Sequence, residues 1–352
     1  LSLAKNLIKK KINVDFYHRN KIENLSSNRT IGISKDNLEF YRKEIHKFPK
    51  KCFWEIKKIE IYSEKLDKEN LLRFEKDKDN LFYMVRNDDI YKSLINKILK
   101  NKFFKKKLIR KNFLDMDLLK KKYDLIINCD SRNILSTQFF TKKINKEYSN
   151  LAYTTLIKHK KTDNNIATQV FTKNGPIAFL PISNSETSIV CSLDTKNKKY
   201  KDSQVLDLIS KHNPKYQIQR ILKLSSFKLS SSNLRNYSHQ NILAFGDLLH
   251  RIHPLAGQGF NMTIRDIRVL SAIIQNKIDL GMQLDSSILF DFEKETKSKN
   301  FLFSNSVDFI HEIFNFDRKI KNNSFNKILK IIGTNKNLNN SLIKLADKGL
   351  NF

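Results

Sequence analysis

An apolar run, Ile242-Leu243-Ala244-Phe245, feeds directly into Gly246-Asp247, and a glycine-punctuated stretch from Pro254 through Gly257, Gln258 and Gly259 then opens a long helical pattern. The run reads as a short buried strand, and Met262, Ile264, Ile267, Val269, Leu270 and Ile273 supply the apolar positions of the helix. A strand that delivers a glycine permits close backbone approach to a ligand. The aspartate beside it can accept hydrogen bonds from sugar-like hydroxyls. Pro254-Leu255-Ala256-Gly257-Gln258-Gly259 presents backbone N–H groups at a helix start, where the dipole favours partial negative charge on a ring or phosphate. Taken singly, Gly257 and Gly259 fit a plain loop and Asp247 fits a helix cap. Taken as one string, through Asn261 to Arg265-Asp266, they predict a ligand site.

Upstream, the hydrophobic pattern alternates between helix and strand. Leu3, Leu7 and Ile8 have helical spacing and precede an alternating Ile12 to Tyr17, which together form the second half of a β-α-β element. A helix is predicted from Lys35 to Phe48, stopping at Pro49. Strands follow over Ile56 to Tyr62 and Leu81 to Val85, then a helix through Tyr91, Leu94, Ile95 and Ile98. Tyr123 to Asp130 reads as a buried strand ending on a carboxylate, the place where open α/β sheets make ligand contacts. From Leu151 to Leu193 the pattern changes to short strands, with Asn174-Gly175-Pro176 as a turn. The lysine runs 105–107 and 120–122 read as solvated faces, and the chain beyond 276 reads as helical.

The string around Gly246-Asp247 resembles the second FAD motif of the flavin-dependent aromatic-ring hydroxylases, in the ubiquinone-biosynthesis branch. Arg29-Thr30-Ile31-Gly32-Ile33-Ser34 is similar to that branch's Arg-Thr/Ala-Ile-Ala-Leu-Ser, and Gly175-Pro176-Ile177-Ala178-Phe179-Leu180-Pro181 to its Gly-Pro-Leu-Ala-Phe-Leu-Pro. The resemblance implies an α/β fold: an FAD-binding β-α-β domain truncated at its N-terminus, an inserted antiparallel substrate sheet and a C-terminal helical region. The boundaries expected are 1–150 and 236–275 for the FAD-binding domain, with some strands of the substrate sheet already within 1–150, then 151–235 for the substrate sheet and 276–352 for the helices. By the same resemblance Arg29, Asp130, Gly246, Asp247, Pro254, Gly257, Gln258, Gly259 and Asn261 contact the cofactor. The family's glycine-rich turn would precede Leu1, so weak retention of FAD is expected. Two departures stand out. His18 replaces the acidic residue expected to hold the adenosine ribose, with Glu23 five residues on, and Asp130-Ser131-Arg132-Asn133-Ile134 departs from the family's Asp-Gly-x-x-Ser.

The implied reaction inserts one oxygen atom of O2 into an electron-rich phenol, with electrons from NAD(P)H or a reductase. No catalytic side chain can be named from the motifs. A polyprenylated phenol as substrate brings a membrane surface and a biosynthetic complex into the expected partners, and a cytoplasmic location, peripheral on the inner membrane. Another flavoprotein of the same fold, such as a prenyl reductase, and a non-catalytic remnant serving as an interaction partner are the alternatives. The net charge of +30 comes from 66 basic and 36 acidic residues. Only 13 of the basic residues are arginine and the lysines are scattered, which argues for diffuse solvated charge and against a nucleic-acid partner. Cys52, Cys129 and Cys191 lack metal-ligand spacing. His250 and His253 lack a third ligand, so no metal is expected and His250 is read as a structural neighbour of the motif.

Overall fold

Leu3, Ala4 and Ile8 are buried on helix α1 (Ser2–Lys9), and the chain turns at Lys11, φ 62°, into strand β1 (Val14–His18). This is the predicted order of helix and strand. The computed structural model describes residues 1–18, 29–64, 70–75, 79–109, 121–196, 199–252 and 258–319, together with 343, 344 and 347.

Strand β2 (Thr30–Ser34) leads into α2 (Lys35–Phe40), which is shorter than the helix predicted to reach Phe48. A π-type turn carries Tyr41–Ile45, and the backbone is extended at His46, φ −155°. Aromatic burial accounts for the break. Leaving the helix here lets Phe48 pack against Tyr41 and against Phe53, with ring centroids 5.5 Å apart in each case, and lets His46 Nε2 meet Ser93 Oγ at 2.8 Å. Burial, with Lys97 and Lys5 close by, lowers the His46 pKa to about 4. The unfolded ring titrates near ~6.5, so between these values the unfolded state binds more protons. The contribution is therefore complete above pH ~6.5 and is lost as pH falls toward about 4. Thermal melts across that range should show the wild type losing more stability than His46→Gln. Equal slopes would remove His46 as the sensor.

The strand predicted over Ile56 to Tyr62 is divided into β3 (Trp54–Ile56) and β4 (Lys58–Ser63). Between them Lys57 N–H bonds to Asn165 O at 2.9 Å, and the two pieces enter different sheets. Next come β5 (Asn70–Glu75), β6 (Phe82–Arg86), α3 (Asn87–Ile98) and β7 (Phe104–Leu108). Of the lysine run predicted to be solvated, Lys105 and Lys106 are exposed, but all three residues lie in β7, paired in parallel with β1. Lys107 is half-buried, with Nζ 2.5 Å from Asp15 Oδ2. Strand β8 (Ile126–Asn128) is shorter than the predicted Tyr123 to Asp130 because the Asn128 side chain accepts from Asp130 N at 3.1 Å and turns the chain into α4 (Ile134–Phe139).

The second half contains β9 (Lys143–His159), β10 (Ile166–Thr172), β11 (Gly175–Pro181), β12 (Glu186–Asp194), α5 (Asp202–Lys211), β13 (Ile218–Ile221) and β14 (Ser225–Leu234). It continues with β15 (Ser238–His239), β16 (Ile242–Ala244), β17 (His250–Arg251), α6 (Gln258–Asp279) and α7 (Ser287–Lys319). Nine strands form the large sheet, in the order β17-β14-β9-β12-β11-β10-β4-β5 with β13 on β9. Its pairings are antiparallel except β10 with β4, which run parallel. The sheet thus begins before residue 151 and draws β4 and β5 from the first half of the chain. One face buries Tyr153, Ile157, Ile177, Phe179 and Ile189 against Val205 and Ile209 of α5. A second core joins α1, α2, α3, β16, α6 and the start of α7. Burial of each such aliphatic side chain contributes ~1.5 to 3 kcal/mol. Among the described residues no helix is long and apolar enough to cross a membrane. The segment Phe325 to Ile332, read as helical, lies outside the described residues.

Candidate functional site

Parallel pairing of β16 with β8 places two strand ends side by side, Ile242↔Ile126 through Ala244↔Asn128. Beyond β8 come Cys129 and Asp130; beyond β16 come Gly246 and Asp247. The amino end of α1 joins them, since Cys129 lies within electrostatic range of the Leu1 α-amino group and of the Asp130 and Asp247 carboxylates. Two strand ends and a helix amino terminus therefore converge, the arrangement that places a ligand at the carboxyl edge of an open α/β sheet. Leu1 and Cys129 were not singled out in the sequence, since neither carries a motif.

Gly246 has φ 62°, and a side chain built there would meet nothing within 4 Å. Its conformation, rather than crowding, is what asks for glycine. Open space beside it leaves room for a ligand. Asp247 follows in a single 3-10 turn and is exposed, while Leu248 and Leu249 on either side of the return are buried and anchor it. Asp130 is half-buried, and its Oδ1 accepts from Arg132 N at 2.8 Å. In the same turn the Asn133 side chain accepts from Ser136 N at 3.0 Å and caps α4. The segment that departs from the family motif at Ser131 and Ile134 is thus a capping turn held by Asp130 and Asn133.

At the start of α6, Gln258 Oε1 is buried without a partner, and Gly259 and Phe260 are half-buried. Asn261 is 2% exposed, and its amide is used within the protein. Its Oδ1 accepts from Ser34 N at 2.9 Å and from Asn37 Nδ2 at 3.2 Å, and its Nδ2 donates to Gly32 O at 3.0 Å. It fastens α6 to the end of β2. Arg29 is exposed at the opposite end of β2, and its carbonyl accepts from Asn87 N at 2.9 Å. Among the described residues no hydrogen bond brings its side chain to the other site residues. Pro254 and Gly257 lie outside the described residues.

Behind this surface the polar side chains of the motif are buried. His250 Nε2 donates to Asp266 Oδ2, each side chain 1% exposed, and Asn300 Nδ2 donates to Asp266 Oδ1 at 3.0 Å. Arg265 lies over the Phe303 ring, 4.2 Å from its centroid, and burial lowers its pKa to about 10. Among the described residues no three His, Cys, Asp or Glu side chains come together as metal ligands.

Residues 132–279 match the family described as FAD binding domain. Over the full length, the chain superposes on p-nitrophenol 4-monooxygenase PnpA from Pseudomonas putida with a TM-score of 0.76 at 10% identity, covering 98% of this chain and 94% of that one. The fold is that of the FAD-dependent monooxygenases. HpxO from Klebsiella pneumoniae, solved with FAD and uric acid, shares this monooxygenase fold at a TM-score of 0.72 and 12% identity, covering 99% of this chain and 94% of that one. By sequence, the chain is 26% identical over 216 residues to the ubiquinone biosynthesis monooxygenase COQ6 of Dictyostelium discoideum, 48% of this chain and 44% of the relative. It is 28% identical over 152 residues to the 3-demethoxyubiquinol 3-hydroxylase of Escherichia coli, 42% of this chain and 39% of the relative. The chain therefore spans less than half the length of these two relatives. In an FAD-dependent monooxygenase fold, the Gly246-Asp247 turn, its open space and the orphan Gln258 carbonyl fit a ligand rich in hydroxyl and N–H donors.

Proposed function

We propose that this chain is an FAD-dependent monooxygenase that hydroxylates the aromatic ring of a polyprenylated phenol in ubiquinone biosynthesis. The convergence of the Gly246-Asp247 turn, Cys129-Asp130 and the amino end of α1 at two parallel strand ends supports the reading most directly. FAD, when bound, supplies the oxygen chemistry with O2 as co-substrate and NAD(P)H or a reductase as electron source. The chain's own residues bind and orient. Asp247 accepts from hydroxyl donors, Gly246 keeps the turn open, Gln258 and Gly259 present the first turn of α6, and Arg29, Asp130, Pro254 and Gly257 complete the cofactor set, while Asn261 acts from behind by fastening α6 to the end of β2. The large sheet turns one face to α5 and packs its other side on β2, where Thr30 Oγ1 donates to Ser188 Oγ at 2.8 Å. That contact holds the sheet against the cofactor region and helps exclude water. The test is product analysis: with FAD, NAD(P)H or a reductase, and O2, a prenylated phenol should gain one oxygen atom. Saturation of a prenyl chain instead would favour the prenyl-reductase alternative, and no product with intact FAD binding would favour the interaction-partner alternative.

A substrate held in lipid asks for contact with a bilayer, and α7 offers a place for it. Phe290, Phe301, Leu302 and Phe309 are exposed along α7, and Leu280 and Met282 are exposed on the turn before it. Apolar side chains of this kind enter the headgroup region, assisted by diffuse positive charge. Flotation should show the protein rising with liposomes, and Phe290→Ser with Phe309→Ser should reduce it at high as well as low salt. Binding that survives both substitutions and vanishes in salt would assign the contact to lysine alone.

A further inference from the structure

We infer that His250 is a positioning residue for the cofactor segment, acting through Asp266 to hold the Asp247 turn in register with the first turn of α6. The inference rests on the cofactor reading above. Two limbs of the motif are described, Gly246 to Ile252 and Gln258 onward. Among the described residues, the hydrogen bond that joins them is His250 Nε2 to Asp266 Oδ2.

Each end of that bond is fixed from its own side. His250 lies three residues after Asp247, on β17, where it pairs with Asn233 at the edge of the large sheet. Asp266 lies five residues after Asn261 on α6, and its second oxygen is taken by Asn300 of α7 at 3.0 Å. Since the carboxylate accepts on both oxygens, the imidazole must be the donor at Nε2, and its Nδ1 is buried with no partner. A ring that satisfies only one of its two nitrogens is spending its polarity on one contact, since a buried unpaired nitrogen carries a desolvation cost. A leucine would fill the same space without that cost. Placement explains the choice of histidine: the contact ties β17, three residues past the exposed Asp247 carboxylate, to the third turn of α6, whose first turn carries Gln258 and Gly259. Preorganisation of a binding group by a buried partner behind it is the general form of this arrangement.

The variants are His250→Leu, which keeps bulk and loses the donor, His250→Gln, whose amide can still donate to Asp266, and Asp266→Asn. Two readouts are taken: FAD affinity by fluorescence titration, and hydrogen exchange of backbone amides in the protein without FAD. His250→Leu should weaken FAD binding about 10-fold and speed exchange at 246–252 and 258–262, while leaving 153–193 in the sheet unchanged. His250→Gln should recover both readouts to near the wild type, and Asp266→Asn should lie between. The proposal is overturned if His250→Leu binds FAD as the wild type does, if His250→Gln is as weak as His250→Leu, or if exchange rises equally throughout the sheet. Should His250→Leu fail to fold, the comparison of His250→Gln with Asp266→Asn decides in the same way, with equal affinities counting against the proposal. A wild type that binds no FAD would sink the cofactor reading, whereas the exchange comparison would still decide whether this bond holds the two limbs.

Discussion

Gly175→Ala is expected to destabilise the protein by about 2 to 6 kcal/mol, adding ~1 to 3 kcal/mol of backbone strain to ~1 to 3 kcal/mol of overpacking. Gly175 opens β11 with φ 133°, a backbone conformation that side-chain-bearing residues rarely adopt. Space is equally closed. A Cβ built there would lie 1.9 Å from the backbone oxygen of Ser192 and 3.0 Å from its carbonyl carbon, so β12 itself would have to move. The turn has little freedom to yield, because Thr172 Oγ1 donates to Gly175 O at 2.7 Å and Asn174 O accepts from Asp194 N at 2.9 Å. Behind these strands lie Ile177, Ile189 and Cys191 of the buried core, so a shift of β12 would be felt there as lost packing. Urea unfolding of the purified variant would measure the loss through its midpoint. A shift below about 1 kcal/mol would mean that the sheet relaxes around the methyl group.

Gly175 also shows what could be read without coordinates. The Asn174-Gly175-Pro176 turn was legible because glycine and proline report backbone geometry locally, and the same holds for Gly246, whose positive φ matches its place between a strand and a polar turn. Alternation gave β10, β11 and β12, and helical spacing gave α1, α3 and α6. The partition of Ile56 to Tyr62 between two sheets was not legible, since it depends on Asn165, more than 100 residues away, accepting from Lys57. The early end of α2 likewise depends on Ser93 meeting His46. In the site, the family resemblance grouped Asn261 with ligand contacts, and position along the chain cannot reveal that its amide is taken by Gly32, Ser34 and Asn37. His250 was read as a structural neighbour of the motif, and the positioning role inferred above departs from that reading. Its bond to Asp266, sixteen residues on, could be suspected from charge pairing but not oriented.

Asp247→Ala should lower FAD affinity roughly 10- to 150-fold, the equivalent of about 1.5 to 3 kcal/mol for a charge-assisted hydrogen bond. The carboxylate is exposed at the end of a parallel strand pair, on a turn that Gly246 holds open, and like Asp130 and the α1 amino end it lies within electrostatic range of Cys129. Because Asp247 faces outward, removing it should leave the fold intact. Surface substitutions of that kind usually change stability by less than ~0.5 kcal/mol. This separates it from Gly175→Ala and His250→Leu, which alter buried parts of the structure. Asp247→Asn is the informative companion, since its amide oxygen still accepts but carries no charge. It should bind more tightly than alanine and less tightly than aspartate. Flavin fluorescence titration of the three proteins at matched folded fraction would give the order, with hydroxylated product falling in proportion to occupancy. If alanine binds FAD as the wild type does while melting at the same temperature, Asp247 is no ligand and the site must be sought among Arg29, Asp130 and the first turn of α6.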